Sequence, residues 1–129
     1  MSAPLGGTIT FPSGVKVSVS PPEVVPGGQY AYGAVEGNIP LFTVTVVNEG
    51  TEPVNGFTMA YPRVTYGATG TEAQRANNEN VGGGTLSTIL PGETQSVKVG
   101  FGIPQVELPS VRVEVMGPSY SDFPAIFKS

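Results

Sequence analysis

Cysteine, histidine and tryptophan are absent from the chain, and charge is sparse. Without cysteine there is no disulfide, no thiolate metal site and no thiol nucleophile. Without histidine there is no Ser–His or Cys–His pair, so the common hydrolase constellations cannot be built. A zinc site would have to use carboxylates alone, against the usual preference for imidazole and thiolate. Charged residues make up 12% of the sequence, with six basic against ten acidic, for a net charge of −4. The basic residues Lys16, Arg63, Arg75, Lys98, Arg112 and Lys128 stand singly along the chain. No run of them forms the basic stripe that neutralises phosphates, which argues against nucleic acid and anionic bilayers as partners. No stretch approaches the roughly 20 apolar residues of a membrane span. The opening residues 1–7 have neither a basic region nor an apolar core, so they do not read as a secretory signal. The expectation is a protein kept without export, or one whose signal has been removed.

What is present is punctuation and alternation. Thirteen prolines and 18 glycines divide 129 residues into short segments rich in Val, Ile, Phe and Tyr, as expected for strands joined by tight turns. A chain of this length is one ordinary domain. Residues 8–11 open it, and residues 15–20 alternate cleanly, with Val15, Val17 and Val19 on one face and Lys16, Ser18 and Ser20 on the other. Residues 21–38 read as a long Pro- and Gly-rich connection. Residues 40–48 are the strongest strand, with Phe42, Val44 and Val46 inward and Leu41, Thr43, Thr45 and Val47 opposite. Residues 56–66 read as a strand with Phe57, Met59 and Tyr61 on one core-facing side, interrupted at Pro62. Residues 71–76 and 85–90 read as short strands, and 94–103 carries Val97, Val99, Phe101 and Ile103 in register. Residues 110–116 place Val111, Val113 and Val115 inward, with Arg112 and Glu114 outward, and residues 122–127 close the chain. The pattern predicts seven to nine strands, no helix, no internal repeat and no second domain.

The chemistry-bearing candidates are few, and each has a plainer explanation. Glu49, Glu52, Glu93 and Glu114 fall at turns or outward strand positions, where solvated carboxylates are ordinary. Asn77, Asn78, Glu79 and Asn80 offer oxygens to calcium, yet one carboxylate among amides is a thin set for that ion. Gly82, Gly83 and Gly84 lack the Lys-Ser/Thr and the following helix of a phosphate cradle. Lys16 and Lys98 lie on outward strand positions, a poor place for an isopeptide bond to asparagine. No catalytic, cofactor-binding or metal-binding residue follows from the sequence.

Partner contact is the remaining chemistry. Tyr30 and Tyr32 sit in a Pro- and Gly-rich loop, where aromatic side chains with polar tips serve interfaces. Residues 1–10 are expected to be an arm ahead of a sandwich spanning 8–127, with Met1 and Leu5 as its anchors and Gly6 and Gly7 as its hinge.

Four segments carry a resemblance: residues 11–19 (FPSGVKVSV), 42–54 (FTVTVVNEGTEPV), 90–101 (LPGETQSVKVGF) and 123–127 (FPAIF). They resemble the immunoglobulin-like, telokin-like domains of actinobacterial extracytoplasmic lipoproteins, and the small sandwich proteins that decorate actinobacteriophage virions. The resemblance implies an all-β, immunoglobulin-like antiparallel sandwich with a non-catalytic role. The chain departs from the lipoprotein pattern in having neither the signal nor the lipobox cysteine. The expected function is therefore that of a virion decoration or accessory protein. Its partners would be capsid or tail subunits and further copies of itself. The alternative is a binding domain of a bacterial surface lipoprotein, in an extracytoplasmic location. No cofactor is expected.

Overall fold

A computed structural model describes residues 1–129 as two packed sheets with a small third ladder. The first sheet contains β2 (Thr8–Thr10), β3 (Val15–Val19), β5 (Asn38–Asn48), β11 (Thr94–Gly102) and β9 (Gln74–Arg75) in that order, with β4 (Glu23–Pro26) also paired to β5. The second runs β1 (Ser2–Pro4), β13 (Ala125–Lys128), β12 (Val111–Val115), β7 (Arg63–Tyr66) and β8 (Thr71–Glu72). A two-stranded ladder joins β6 (Val54–Asn55) to β10 (Thr88–Ile89). All pairings are antiparallel except β1 with β13, which is parallel.

Alternation in the strands builds the core. Val15, Val17 and Val19 of β3, Phe42, Val44 and Val46 of β5, Val97, Val99 and Phe101 of β11, and Val111, Val113 and Val115 of β12 all point between the sheets and are buried. Phe11 and Phe127 complete it from the loop after β2 and from β13. This is the face-to-face packing of a β-sandwich, with valines suited to pleated surfaces facing one another across the layer. Leu41, on the opposite face of β5, is buried as well. It joins Ile39 and Ala76 in a small second cluster covered by Val25, Ala31, Ala34 and Val81. The loop before β5 therefore folds back over the outside of its sheet.

Several expectations are revised. The 21–38 connection contains β4, whose residues 23–26 pair with residues 38–41 of β5. Residues 71–76 do not form one strand. β8 pairs with β7 and β9 with β11, so the chain changes sheets at buried Ala73.

The 56–66 segment begins with a helical turn, α1 (Gly56–Met59), rather than a strand. Asn55 caps it by accepting the Phe57 N–H on its side-chain oxygen. Gly56 sits so close to the Ser87 carbonyl that a Cβ would fall 2.4 Å from that oxygen. Met59 enters the core, while Phe57 and Tyr61 remain outside and meet at a tilt of 48°, with ring centroids 4.9 Å apart. A single 3₁₀ segment, Gln105–Ser110, precedes β12.

The largest revision concerns the first ten residues. Of the expected arm, residues 2–4 are an edge strand of the chain's own second sheet and residues 8–10 an edge strand of the first. Ile126 N–H donates to the Met1 carbonyl at 3.1 Å, and Leu5 N–H donates to the Lys128 carbonyl at 2.9 Å. Gly6 N–H then donates to the Val19 carbonyl at 2.7 Å, carrying the chain to the other sheet. Gly6 adopts φ +93°, in the region glycine tolerates. The two glycines thus make a sheet-to-sheet crossover.

Candidate docking surface

One end of the sandwich gathers the loops 11–14, 48–53, 90–93 and 116–124. Asn48, the last residue of β5, holds two of them. It is the only fully buried polar side chain. Its Nδ2 donates to the Glu52 carbonyl at 2.8 Å and to the Ile89 carbonyl at 2.9 Å, and its Oδ1 accepts the Gly50 N–H at 3.0 Å. Its backbone carbonyl accepts the Gly92 N–H at 2.7 Å. Every polar atom of the side chain has a partner, which is the condition for burying an amide without penalty.

Against this base stands the 116–124 connection between β12 and β13. Gly117 fits closely between Phe11 and Asp122. The Asp122 carboxylate accepts the Ser119 N–H at 3.1 Å, and Asp122 N–H donates back to the Ser119 carbonyl at 3.1 Å. The turn is therefore closed by its own side chain, as Asp commonly closes loops. The closure throws Tyr120 fully into solvent and leaves Phe123 78% exposed, with Met116 more than half exposed beside them.

Hollows lie on both sides of the Pro118–Ser119 ridge. One, of about 380 Å³, is lined by Asn55, Thr58 and residues 116–120. The other, of about 290 Å³, is lined by Ser13, Val15, residues 50–54 and the ridge itself. Neither contains a basic side chain. Large aromatic groups beside shallow hollows of mixed polar and apolar lining are the composition of protein interfaces, where aromatic anchors are enriched.

The four residues expected at an interface do not meet there. Tyr30 (74% exposed) and Tyr32 (60% exposed) lie near the far end of β5. Tyr32 is tied down on both sides: its backbone exchanges hydrogen bonds with Asn77, and its hydroxyl accepts from Gln74 Nε2 at 3.1 Å. Leu5 packs against the chain's own core and is not free to anchor a partner. Met1 is half exposed on the edge strand. Tyr120, Phe123 and Met116 were not singled out by sequence. Their segment, residues 116–124 (MGPSYSDFP), carried the same signal that drew attention to Tyr30 and Tyr32: aromatics among Pro, Gly and Ser.

Other candidate groups are occupied structurally. Asn78 accepts the N–H groups of Asn80 and Val81 on its side-chain oxygen and donates to the Gly27 carbonyl, so it pins a loop. Lys16 pairs with Glu49 at 3.0 Å and Lys98 with Glu23 at 3.1 Å, both at the surface. Arg75 is a half-buried cation held among loop carbonyls. It donates to the carbonyls of Ala60, Gly82 and Gly84, and its guanidinium carbon lies 4.6 Å from the Tyr61 ring centroid. Burial pushes it below its ordinary pKa, and Tyr61 opposes that shift.

The sheet edges are short or blunted. β8 and β9 have two residues each, β1 ends at Pro4, and β4 follows Pro21 and Pro22 and ends at Pro26. Proline at an edge removes a donor and discourages a foreign strand. Contact through side chains on loops suits this molecule better than strand addition.

The sequence matches no protein-family model and no curated protein. Among solved structures, the chain is similar to the yjhA protein from Bacillus subtilis, with a TM-score of 0.71 and 12% identity over 97% of this chain and 99% of that one. It is also similar to MPT63, a secreted protein from Mycobacterium tuberculosis, with a TM-score of 0.60 and 18% identity over 100% of this chain and 97% of that one. At these identities the likeness speaks to architecture alone, and with the sheet topology it establishes the chain as an immunoglobulin-like β-sandwich.

Proposed function

We propose that the chain is a non-catalytic docking module, held on a larger protein assembly by the 116–124 end of its sandwich. The observation that carries this reading is the Ser119–Asp122 turn, which presents Tyr120 and Phe123 to solvent from a hydrogen-bonded frame. A loop already fixed by its own hydrogen bonds loses little backbone freedom on binding, and each large aromatic removes roughly 150–250 Å² from water when covered. The assembly in this reading is a virion, with the chain decorating a capsid or tail lattice in many copies, so that modest single contacts add up by avidity. The absence of histidine and cysteine supports a role without catalysis. A second reading, a binding domain at the bacterial surface, is favoured by the likeness of the fold to a protein described as secreted.

Two measurements test the proposal. Mass spectrometry of purified particles and of cell-surface fractions from the source organism should find the chain stoichiometric with coat or tail subunits. Recovery only from the cell surface would select the second reading. In reconstitution, Tyr120→Ser together with Phe123→Ser should abolish decoration while leaving the melting temperature of the free domain unchanged. Undiminished decoration by that variant would refute the assignment of this end.

A further inference from the structure

The outward face of the second sheet brings together residues that are distant in the chain. Arg63 of β7, Arg112 of β12 and Lys128 of β13 border one shallow hollow of about 480 Å³, with Thr65, Ser110 and Glu114 also lining it. Half of the protein's six basic residues therefore share one concavity in a chain of net charge −4. Glu72, Glu107 and Glu114 stand around them, Glu107 through its carboxylate, which accepts from the Ser110 hydroxyl at 3.2 Å on the rim; this face is therefore neutral, and the −4 lies on the rest of the molecule.

The arrangement is poor for stability. Arg112 and Lys128 are directly opposite each other in the antiparallel register of β12 and β13. Like charges at such positions repel and destabilise the pair. Ten acidic residues were available to relieve this, yet Lys128 makes no ion pair or side-chain hydrogen bond. Arg112 makes one hydrogen bond, from Nη2 to Glu114 at 2.9 Å, of the five its guanidinium can donate. Glu114 is shared, with its other oxygen 3.7 Å from Arg63. Arg63 is committed to the acids, and its hydrogen bond to Glu72 and the charge of that group hold it above its ordinary pKa. The unspent donors are those of Arg112 and Lys128, side by side over a hollow.

We propose that this hollow binds a carboxylate-bearing segment of a partner protein, with one carboxylate bridging Arg112 and Lys128. A guanidinium presents a fork that matches a carboxylate, and the adjacent ammonium adds a second charge-assisted donor. The Thr65 hydroxyl, free of any hydrogen bond within the protein, lines the same hollow. An acidic peptide fits better than nucleic acid or an anionic bilayer. Lys128 and the unspent donors of Arg112 match one or two charges, whereas an extended polyanion would also meet Glu72, Glu107 and Glu114 around the hollow and the −4 of the remaining surface. The site lies apart from the 116–124 loop and does not depend on it.

The test uses the full isotope-labelled chain, titrated with a short Asp/Glu peptide and with its Asn/Gln counterpart and followed by NMR. The acidic peptide should shift amides of residues 63–67, 110–114 and 126–128, and the amide counterpart should bind at least about tenfold more weakly. Lys128→Gln should weaken the acidic peptide similarly while its own melting temperature holds or rises, because a repulsive pair has been removed. The proposal is overturned if the acidic peptide leaves these amides unmoved, if the two peptides bind alike, or if Lys128→Gln binds as well as the parent. A lowered melting temperature for Lys128→Gln would make the residue structural and would also overturn it. Tighter binding at the same amides by a single-stranded oligonucleotide or anionic vesicles would overturn it in favour of a polyanion.

Discussion

Replacing Asn48 with aspartate changes no heavy-atom position but reverses the chemistry of one corner of the side chain. The amide nitrogen that donates to Glu52 and Ile89 carbonyls at 2.8 and 2.9 Å becomes an oxygen facing two acceptors. No cation is within hydrogen-bonding reach to compensate an ionised carboxylate there, and the site is fully buried. The acid must therefore stay protonated in the folded state, so its pKa is raised above the ordinary value of about 3.9. Even protonated it has one O–H for two carbonyls, so one carbonyl loses its partner at a cost of about 1–3 kcal/mol. The folded-state pKa lies above the unfolded one, so the folded protein binds more protons. The penalty is then smallest below about pH 4 and grows as pH rises towards the folded-state value. A shift of about three units, ordinary for a fully buried carboxyl, adds about 4 kcal/mol at neutral pH. Asn48→Asp should thus be destabilised by about 1–3 kcal/mol at pH 3 and about 5–7 kcal/mol at pH 7, in a domain whose whole stability is on the order of 5–15 kcal/mol. Urea unfolding of the parent, Asn48→Asp and Asn48→Ala across that range measures the difference, with Asn48→Ala as the pH-independent control. A deficit for Asn48→Asp that stays flat with pH, or shrinks as pH rises, would refute the reasoning.

Arg75→Met should cost about 1–3 kcal/mol, because three loop carbonyls lose a charged donor and the Tyr61 ring loses its cation. Hydrogen exchange should quicken first at residues 82–84, and Arg75→Lys should recover part of the loss. Deleting residues 1–4 should lower stability by about 2 kcal/mol in thermal unfolding, since β13 loses its parallel neighbour. An unchanged melting temperature would restore the view of this segment as a free arm. Asn78→Ala should cost about 1–2 kcal/mol through the loss of two loop N–H partners and the link to Gly27. A chelator should leave the melting temperature of the parent unaltered, and a fall reversed by calcium would show the 77–80 loop to be an ion site.

Where a strand alternates over five or more residues, its buried face was legible without a structure. Val44, Val46, Val99 and Val113 are all completely buried as the alternation predicts. The reading failed where alternation was short or shared with another geometry. Phe57, Met59 and Tyr61 recur every second residue, yet the capped turn at Asn55 sends Met59 inward and leaves Phe57 and Tyr61 together outside. β8 and β9 are too short to show where the chain changes sheets. β1 is too short to show an alternation, because an edge strand of three residues is held mainly by hydrogen bonds to β13, with only Ala3 and the following Leu5 packed against the core. At the docking end the aromatics of residues 116–124 were visible in the sequence. Their exposure was not, since it follows from Asp122 closing the turn over Gly117 and Phe11.

The sequence by itself determined the absence of imidazole and thiol chemistry, the all-β architecture and the membership of most of the core. These follow from composition and from a two-residue period, both of which are local. Only the tertiary structure decided which surfaces the outward residues share. Arg63, Arg112 and Lys128 stand singly in the chain. Pairing of β7 with β12 and of β12 with β13 sets them on one face around one hollow. Alternation says which side of a strand a residue occupies and nothing about the strand that will lie beside it. That choice is made by long-range pairing and register, through the packing of the whole sandwich.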